Sequence, residues 1–219
     1  MNVVITGANR GIGLALTKRY QEQGHHVYAV CRHASDELKK LGTTVIDGVD
    51  VSNPESLIRL TEALKSIQVD LLINNAGVLA SENIEQPSPA TIEQQFRVNA
   101  LGPVLVAQTV LSNLREGSKV IMITSRMGSM ADNGSGGYYG YRMSKAALNA
   151  AGVSMARDLK ERNIAVLMLH PGYVSTEMVG YGGDIDANTA AERLQQRISE
   201  LTLSTTGRFL HSNGEELPW

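Results

Sequence analysis

The feature that most constrains this chain is an alternation that runs along its whole length: short apolar runs, rich in β-branched residues, separated by longer segments of helical period. The runs at Val3 to Ile5, Val27 to Val30, Thr44 to Ile46, Leu71 to Ile73, Val120 to Ile123 and Ala165 to Leu169 are too short for helices. They are also too apolar for strands with one face in water, so they predict parallel strands covered on both faces by helices. The pattern therefore predicts an α/β, doubly wound parallel sheet built from βαβ units. Leu57, Leu60, Ala63 and Leu64 recur at helical spacing after Asn53-Pro54, which predicts a helix with Asn53 as N-cap and Pro54 at its first position. A longer helical pattern runs from about Pro89 to Leu114, with a kink expected at Gly102-Pro103, where proline removes an amide donor.

No repeat, low-complexity tract or linker divides the 219 residues, so residues 1–219 read as a single domain. Twenty basic residues against 22 acidic ones leave a charge of −2, without the basic excess that nucleic-acid binding needs. The lone Cys31 closes no intramolecular disulfide and has no companions at zinc-ligand spacing, so no metal site and a reducing compartment are expected. No apolar run approaches the length of a membrane span, and Met1 to Ile5 leads straight into Thr6-Gly7 without a charged leader. A cytoplasmic location and no membrane partner are the expectation.

Thr6-Gly7-Ala8-Asn9-Arg10-Gly11-Ile12-Gly13 links the first strand to a helical segment, Leu14 to Gly24. Glycines let a backbone turn tightly and approach a diphosphate, and the free amides of a helix N-terminus favour its charge. Tight strand-to-helix packing is the competing reading of the same glycines. An acidic residue at the end of the second strand would accept hydrogen bonds from a ribose 2′-hydroxyl, whereas an arginine meets a 2′-phosphate. The residue there is Arg32, and Arg10 adds a second cation, which favours NADP(H) over NAD(H). Asp36 and Glu37 are read instead as the first turn of a helix capped by Ser35.

Tyr141 and Lys145 stand four residues apart, so a helix puts both on one face. A nearby ammonium and a positive nicotinamide lower a phenol pKa, which suits acid–base work. Asn74-Asn75-Ala76-Gly77 follows the fourth strand and Ser125 the fifth, both at the sheet edge where open α/β folds bind ligands.

With its Thr-Gly-x-x-x-Gly-x-Gly loop, Asn-Asn-Ala-Gly segment and Ser with Tyr-x-x-x-Lys in that order, the sequence resembles the short-chain dehydrogenase/reductases over essentially its whole length. Residues 136–145 and 207–219 resemble the C-factor and sniffer-type carbonyl reductases within that family. The resemblance implies a single Rossmann-type sheet of about seven strands, in order 3-2-1-4-5-6-7. It implies a small carbonyl or alcohol substrate, with residues 172–204 forming the substrate loop and helix, and a homo-oligomer. It assigns proton transfer to Tyr141, a hydrogen bond to the substrate oxygen to Ser125, and to Lys145 both the nicotinamide ribose and the lowering of the Tyr141 pKa. Asn99 supports a water that connects Lys145 to solvent. The cofactor is expected along Gly7, Asn9, Arg10, Gly11, Ile12 and Gly13, then Arg32, Asp50, Val51, Asn75, Ala76 and Gly77, and finally Pro171, Gly172, Val174 and Thr176. An alternative is a C-factor-like, dinucleotide-binding regulatory protein in which turnover is incidental.

Fifteen residues separate Ser125 from Tyr141, more than the family usually has, and Ser129, with 11, is a rival serine. Ser125 is preferred because it emerges directly from a strand. Met127, Met130 and Tyr138 are candidates to line an apolar pocket, Gly180 to Gly183 is a candidate lid or an ordinary loop, and His170 reads as a hydrogen-bonded structural histidine. His25 and His26 read as a surface turn.

Overall fold

The computed structural model describes all 219 residues and contains one seven-stranded parallel sheet in the order β3-β2-β1-β4-β5-β6-β7. Its strands are β1 (Asn2–Thr6), β2 (His26–Val30), β3 (Thr44–Ile46), β4 (Val69–Asn74), β5 (Leu114–Ile123), β6 (Ala165–His170) and β7 (Phe209–His211). The main helices are α1 (Gly11–Glu22), α2 (Asp36–Lys40), α3 (Ile58–Ala63), α4 (Pro89–Phe96), α5 (Gly102–Thr109), α6 (Tyr139–Asp158) and α7 (Ala187–Glu200).

Alternation along each strand divides the core into two layers. Val4, Leu72, Val120, Met122 and Met168 point to one face, where Leu60, Val106 and Leu148 from α3, α5 and α6 cover them. Val3, Ile5, Leu71, Ile73 and Ile121 point to the other face and meet Leu16, Leu38 and Leu194 from α1, α2 and α7. Because both faces of the central strands are buried, these strands read as unbroken apolar runs in the sequence. No helix is long and apolar enough to cross a membrane.

Two helix boundaries depart from the sequence expectation. Regular helix begins at Ile58 rather than Pro54, after three-residue turns that bond Leu57 N to Pro54 O and Ile58 N to Glu55 O. The Ser56 hydroxyl donates to the carbonyls of Asp50 and Asn53 and tightens this turn, while Asn53 caps only the amide of Glu55. The long helix ends at Thr109, and the chain turns through residues 110–113 before Leu114 opens β5 beside Val69. Asn113 fastens that turn by donating to the carbonyls of Leu64 and Ile67.

The expected irregularity at Gly102-Pro103 takes the form of a π-helical turn over Arg97–Leu101, in which Gly102 N donates to Arg97 O. Pro103 has no amide to give to the carbonyl of Asn99, so the ladder slips by one residue there. A Cβ on Gly102 would lie 3.0 Å from Val51 Cγ2, so the helix approaches the loop after β3 at a residue without a side chain.

Leu72 is fully buried in a central strand. Leu72→Ala is expected to destabilise the fold by about 2–5 kcal/mol, read in urea as a lower midpoint with an unchanged slope.

Candidate active site

The sheet order reverses direction between β1 and β4, and the loops that leave their C-terminal ends border a cleft of about 1330 Å³. Its floor is a close backbone contact. Gly7 has φ +66°, and a Cβ there would lie 2.8 Å from Ala76 Cα; a Cβ on Gly13 would lie 2.1 Å from Gly7 O. Only glycine permits that approach at both positions. Thr6 Oγ1 accepts from the amides of Asn75 and Ala76 at 3.0 and 3.1 Å, and Asn75 Nδ2 donates back to the carbonyls of Thr6 and Gly7 at 3.0 and 3.3 Å. The Asn75 side chain thus braces the glycine loop, and Thr6, which sequence reasoning did not single out, is its partner.

Gly7, Asn9, Arg10, Gly11 and Ile12 line one end of the cleft, followed by Arg32, Asp50 and Val51 and then by Asn75, Ala76 and Gly77. Pro171, Gly172, Val174 and Thr176 line its opposite wall. Gly13 lies beneath the loop and does not border the cleft. The two arginines differ. Arg10 lines the cleft and forms an exposed ion pair with Glu177, another residue of the lining. Arg32 is exposed at the end of β2 and has no ion-pair partner. An elongated ligand with a diphosphate near Gly11 fits these residues, and a phosphate near Arg32 fits the free guanidinium.

Ser125, Tyr141 and Lys145 meet at the other end. Ser125 ends the strand edge and accepts from Met127 N at 3.1 Å, within a tight turn over Arg126–Gly128. A Cβ on Gly128 would lie 2.8 Å from the Lys145 carbonyl carbon, so the serine's turn rests directly on α6. Ser129 is buried, accepts from Asp132 N at 3.1 Å and does not border the cleft. Of the pocket candidates, Met127 and Tyr138 line the cleft with Tyr173, Met178 and Tyr181, whereas Met130 stands 76% exposed outside it.

Lys145 is buried, its Nζ donates to Ile123 O at 2.9 Å, and it stands 5.7 Å from the Tyr141 ring centroid. Desolvation brings its pKa down to about 8. Burial also pushes the Tyr141 phenol up to about 12, against the opposing pull of the Ser125 hydroxyl. The expected lowering of the phenol is therefore not produced by the chain's own groups: the loss of water outweighs the Ser125 hydrogen bond, and Tyr141 stands as a protonated acid.

Asn99 is fully buried behind the cleft. Its Oδ1 accepts from Val78 N, and its Nδ2 donates to Val78 O and Ser144 Oγ, so the side chain is used in holding the segment after Gly77 to α6. His170 lines the cleft, but no hydrogen bond reaches its Nδ1. Its ring lies 4.9 Å edge-on from His211, and burial, with positive neighbours, lowers its pKa to about 3 and keeps it neutral. The loop at Gly180 to Gly183 is tied down: Ser175 donates to Tyr181 O, and the amides of Asp184 and Ile185 donate to Tyr173 O. No group of three or more His, Cys, Asp or Glu side chains converges as a metal site.

The family model for short chain dehydrogenases matches residues 1–184. The chain belongs to the short-chain dehydrogenase/reductase family of oxidoreductases. It is 38% identical to the 1-hydroxy-2-glutathionyl-2-methyl-3-butene dehydrogenase of Rhodococcus sp. strain AD45, over 99% of both chains. It is 42% identical to the C-signal of Myxococcus xanthus, over 69% of this chain and 93% of that protein. Among solved structures, the carbonyl reductase Sniffer of D. melanogaster matches all of this chain and 99% of its own, with TM-score 0.91 and 29% identity. An NADPH-bound carbonyl reductase from chicken fatty liver matches all of this chain and 98% of its own, with TM-score 0.89 and 26% identity.

The positions of the two serines predict opposite outcomes. Ser125→Ala is expected to lower kcat/KM for a carbonyl substrate by about 10²–10³, the usual loss of a donor to a developing oxyanion, while Ser129→Ala keeps it within about twofold. Steady-state kinetics on both variants checks this.

Proposed function

We propose that the chain is an NADP(H)-dependent carbonyl reductase, or alcohol dehydrogenase in the reverse direction. The observation that carries this reading is the convergence of Ser125, Tyr141 and Lys145 on a cleft whose far end is the glycine loop and the unpaired Arg32. When bound there, the reduced nicotinamide supplies the hydride. Ser125 donates a hydrogen bond to the substrate oxygen. Tyr141, protonated at neutral pH, gives its phenolic proton to that oxygen as the carbonyl carbon is reduced, and in the reverse direction takes it back. The Lys145 ammonium stabilises the phenolate that proton transfer leaves behind.

Arg32 supports NADP(H) over NAD(H), since its guanidinium has no carboxylate of the chain to pair with. The substrate end is walled by Met127, Tyr138, Tyr173, Met178 and Tyr181, which suits a carbonyl borne on an apolar or aromatic body. Phe96, Leu101 and Met143, exposed on and between α4 and α6, support pairing with a second copy of the chain. The likeness to C-signal supports one other reading, a dinucleotide-binding regulator with incidental turnover. A cellular phenotype that survives Tyr141→Phe would favour it; loss of phenotype together with turnover favours the enzyme.

Tyr141→Phe is expected to lower kcat by about 10²–10⁴ while NADPH still binds, as checked by NADPH oxidation with an aromatic aldehyde and by fluorescence titration. The pH dependence follows from Lys145. Its ammonium, and with it kcat/KM for reduction, persists below a pH of about 8 and falls as the pH rises through that value. A pH profile that stays level to pH 10 contradicts this assignment.

A further inference from the structure

The helix that carries Tyr141 and Lys145 begins without a side-chain cap of its own. Its N-cap residue, Tyr138, is held in the left-handed region at φ +53° and makes no capping hydrogen bond, and the first turn holds no acidic residue. The missing acceptor comes from elsewhere in the chain. Glu82, from the loop between β4 and α4, is 5% exposed; its Oε2 accepts from Gly140 N at 3.2 Å, and its own carbonyl accepts from Tyr138 N at 2.8 Å. Glu82 Oε1 accepts from Gln95 Nε2 at 2.6 Å and from Thr91 Oγ1 at 2.8 Å, both on α4. Gln95 is 1% exposed and uses its remaining oxygen to accept from Ala80 N at 2.9 Å.

Glu82 has no cationic partner. A carboxylate held from water without a counter-ion is costly, and the positive end of α6 with three hydrogen-bond donors offsets that cost. Space is equally committed: a Cβ on Gly140 would lie 2.4 Å from Gln95 Nε2 and 2.9 Å from Ile92 Cα. Gln95 and Asn99, four residues apart, together bond the backbone of Val78 and Ala80, so the segment leaving Gly77 is stitched between the α4 region and α6.

We infer that Glu82, with Gln95, is a positioning residue for Tyr141: it fixes the first turn of α6 against α4, and so sets the phenol relative to the cleft edge at Gly77. The inference rests on the reductase reading for its catalytic consequence and on geometry alone for its structural one. A misplacement of about 1 Å in such a site lowers turnover by about a hundredfold, so the effect belongs in kcat rather than in cofactor affinity.

The test uses the full chain with Glu82→Ala, Glu82→Gln, Gln95→Glu and the exchange Glu82→Gln with Gln95→Glu. Glu82→Gln alone turns an amide donor toward existing donors, and Gln95→Glu alone sets two carboxylates together. The exchange restores a donor–acceptor pair, with one carbonyl oxygen left for Gly140 N. Each single variant is expected to lower kcat by at least about tenfold while Kd for NADPH stays within about twofold, and the exchange to recover most of that loss. Hydrogen exchange at amides 139–145 is expected to accelerate in Glu82→Ala and to return toward the wild-type rate in the exchanged pair. Unchanged exchange at these amides overturns the inference, as does a loss of kcat matched by an equal loss of NADPH affinity and not recovered in the exchange. A wild-type chain without turnover counts against the reductase reading, while the hydrogen-exchange arm still decides this one.

Discussion

The backbone contact between the turn after β1 and the segment after β4 is the constraint on which the remaining structure depends. A parallel sheet that winds outward in both directions from β1 and β4 leaves a crevice between the two loops at its centre. In this chain the crevice is kept narrow and rigid by three features: Gly7 against Ala76, the Thr6 hydroxyl bonded to two amides, and the Asn75 amide bonded to two carbonyls. These hydrogen bonds order the loop, which presents the amide-rich start of α1 to the cleft.

The chemistry at the other end depends on how burial acts on two groups of opposite charge type. Desolvation disfavours the charged form of each, so it raises the Tyr141 phenol and lowers the Lys145 ammonium. For carbonyl reduction this is a workable starting state. In the proposed reduction the phenol holds its proton until a substrate oxygen accepts it, and the lysine, still charged at neutral pH, meets the phenolate as it forms. Oxidation of an alcohol asks for the ionised phenol instead, which these residues alone disfavour. The short turn after Ser125, resting on the backbone of Lys145 at Gly128, and the π-helical turn behind Gly77 then fix the distances among serine, tyrosine and lysine.

Much of this was legible in the sequence where a local rule applies. The central strands are buried on both faces and read as apolar runs, and Ser35 caps α2 as its residue type predicts. Proline at position 103 announced an irregularity, and the four-residue spacing of Tyr141 and Lys145 placed them on one helix face. Legibility failed where the deciding partner lies far along the chain. The pairing of Arg10 with Glu177, 167 residues away, has no local signal. Nothing near Glu82 signals that it caps a helix starting at Tyr139, although Gln95 standing four residues before Asn99 marks a shared polar face. The three-residue strand β7, with only Phe209 buried in it, carries too little pattern to be read locally and was reached only through the family resemblance.

The central claim is that this cleft is a dinucleotide site whose 2′-phosphate is read by Arg32, and calorimetric titration of the wild-type chain and Arg32→Ala with NADPH and NADH tests it most directly. The account predicts that NADPH binds the wild type more tightly than NADH. It also predicts that Arg32→Ala weakens NADPH by about 1.5–3 kcal/mol, the worth of a charge-assisted hydrogen bond, while leaving NADH nearly unchanged. Failure of both nucleotides to bind the wild type, or equal weakening of both by the substitution, would contradict it.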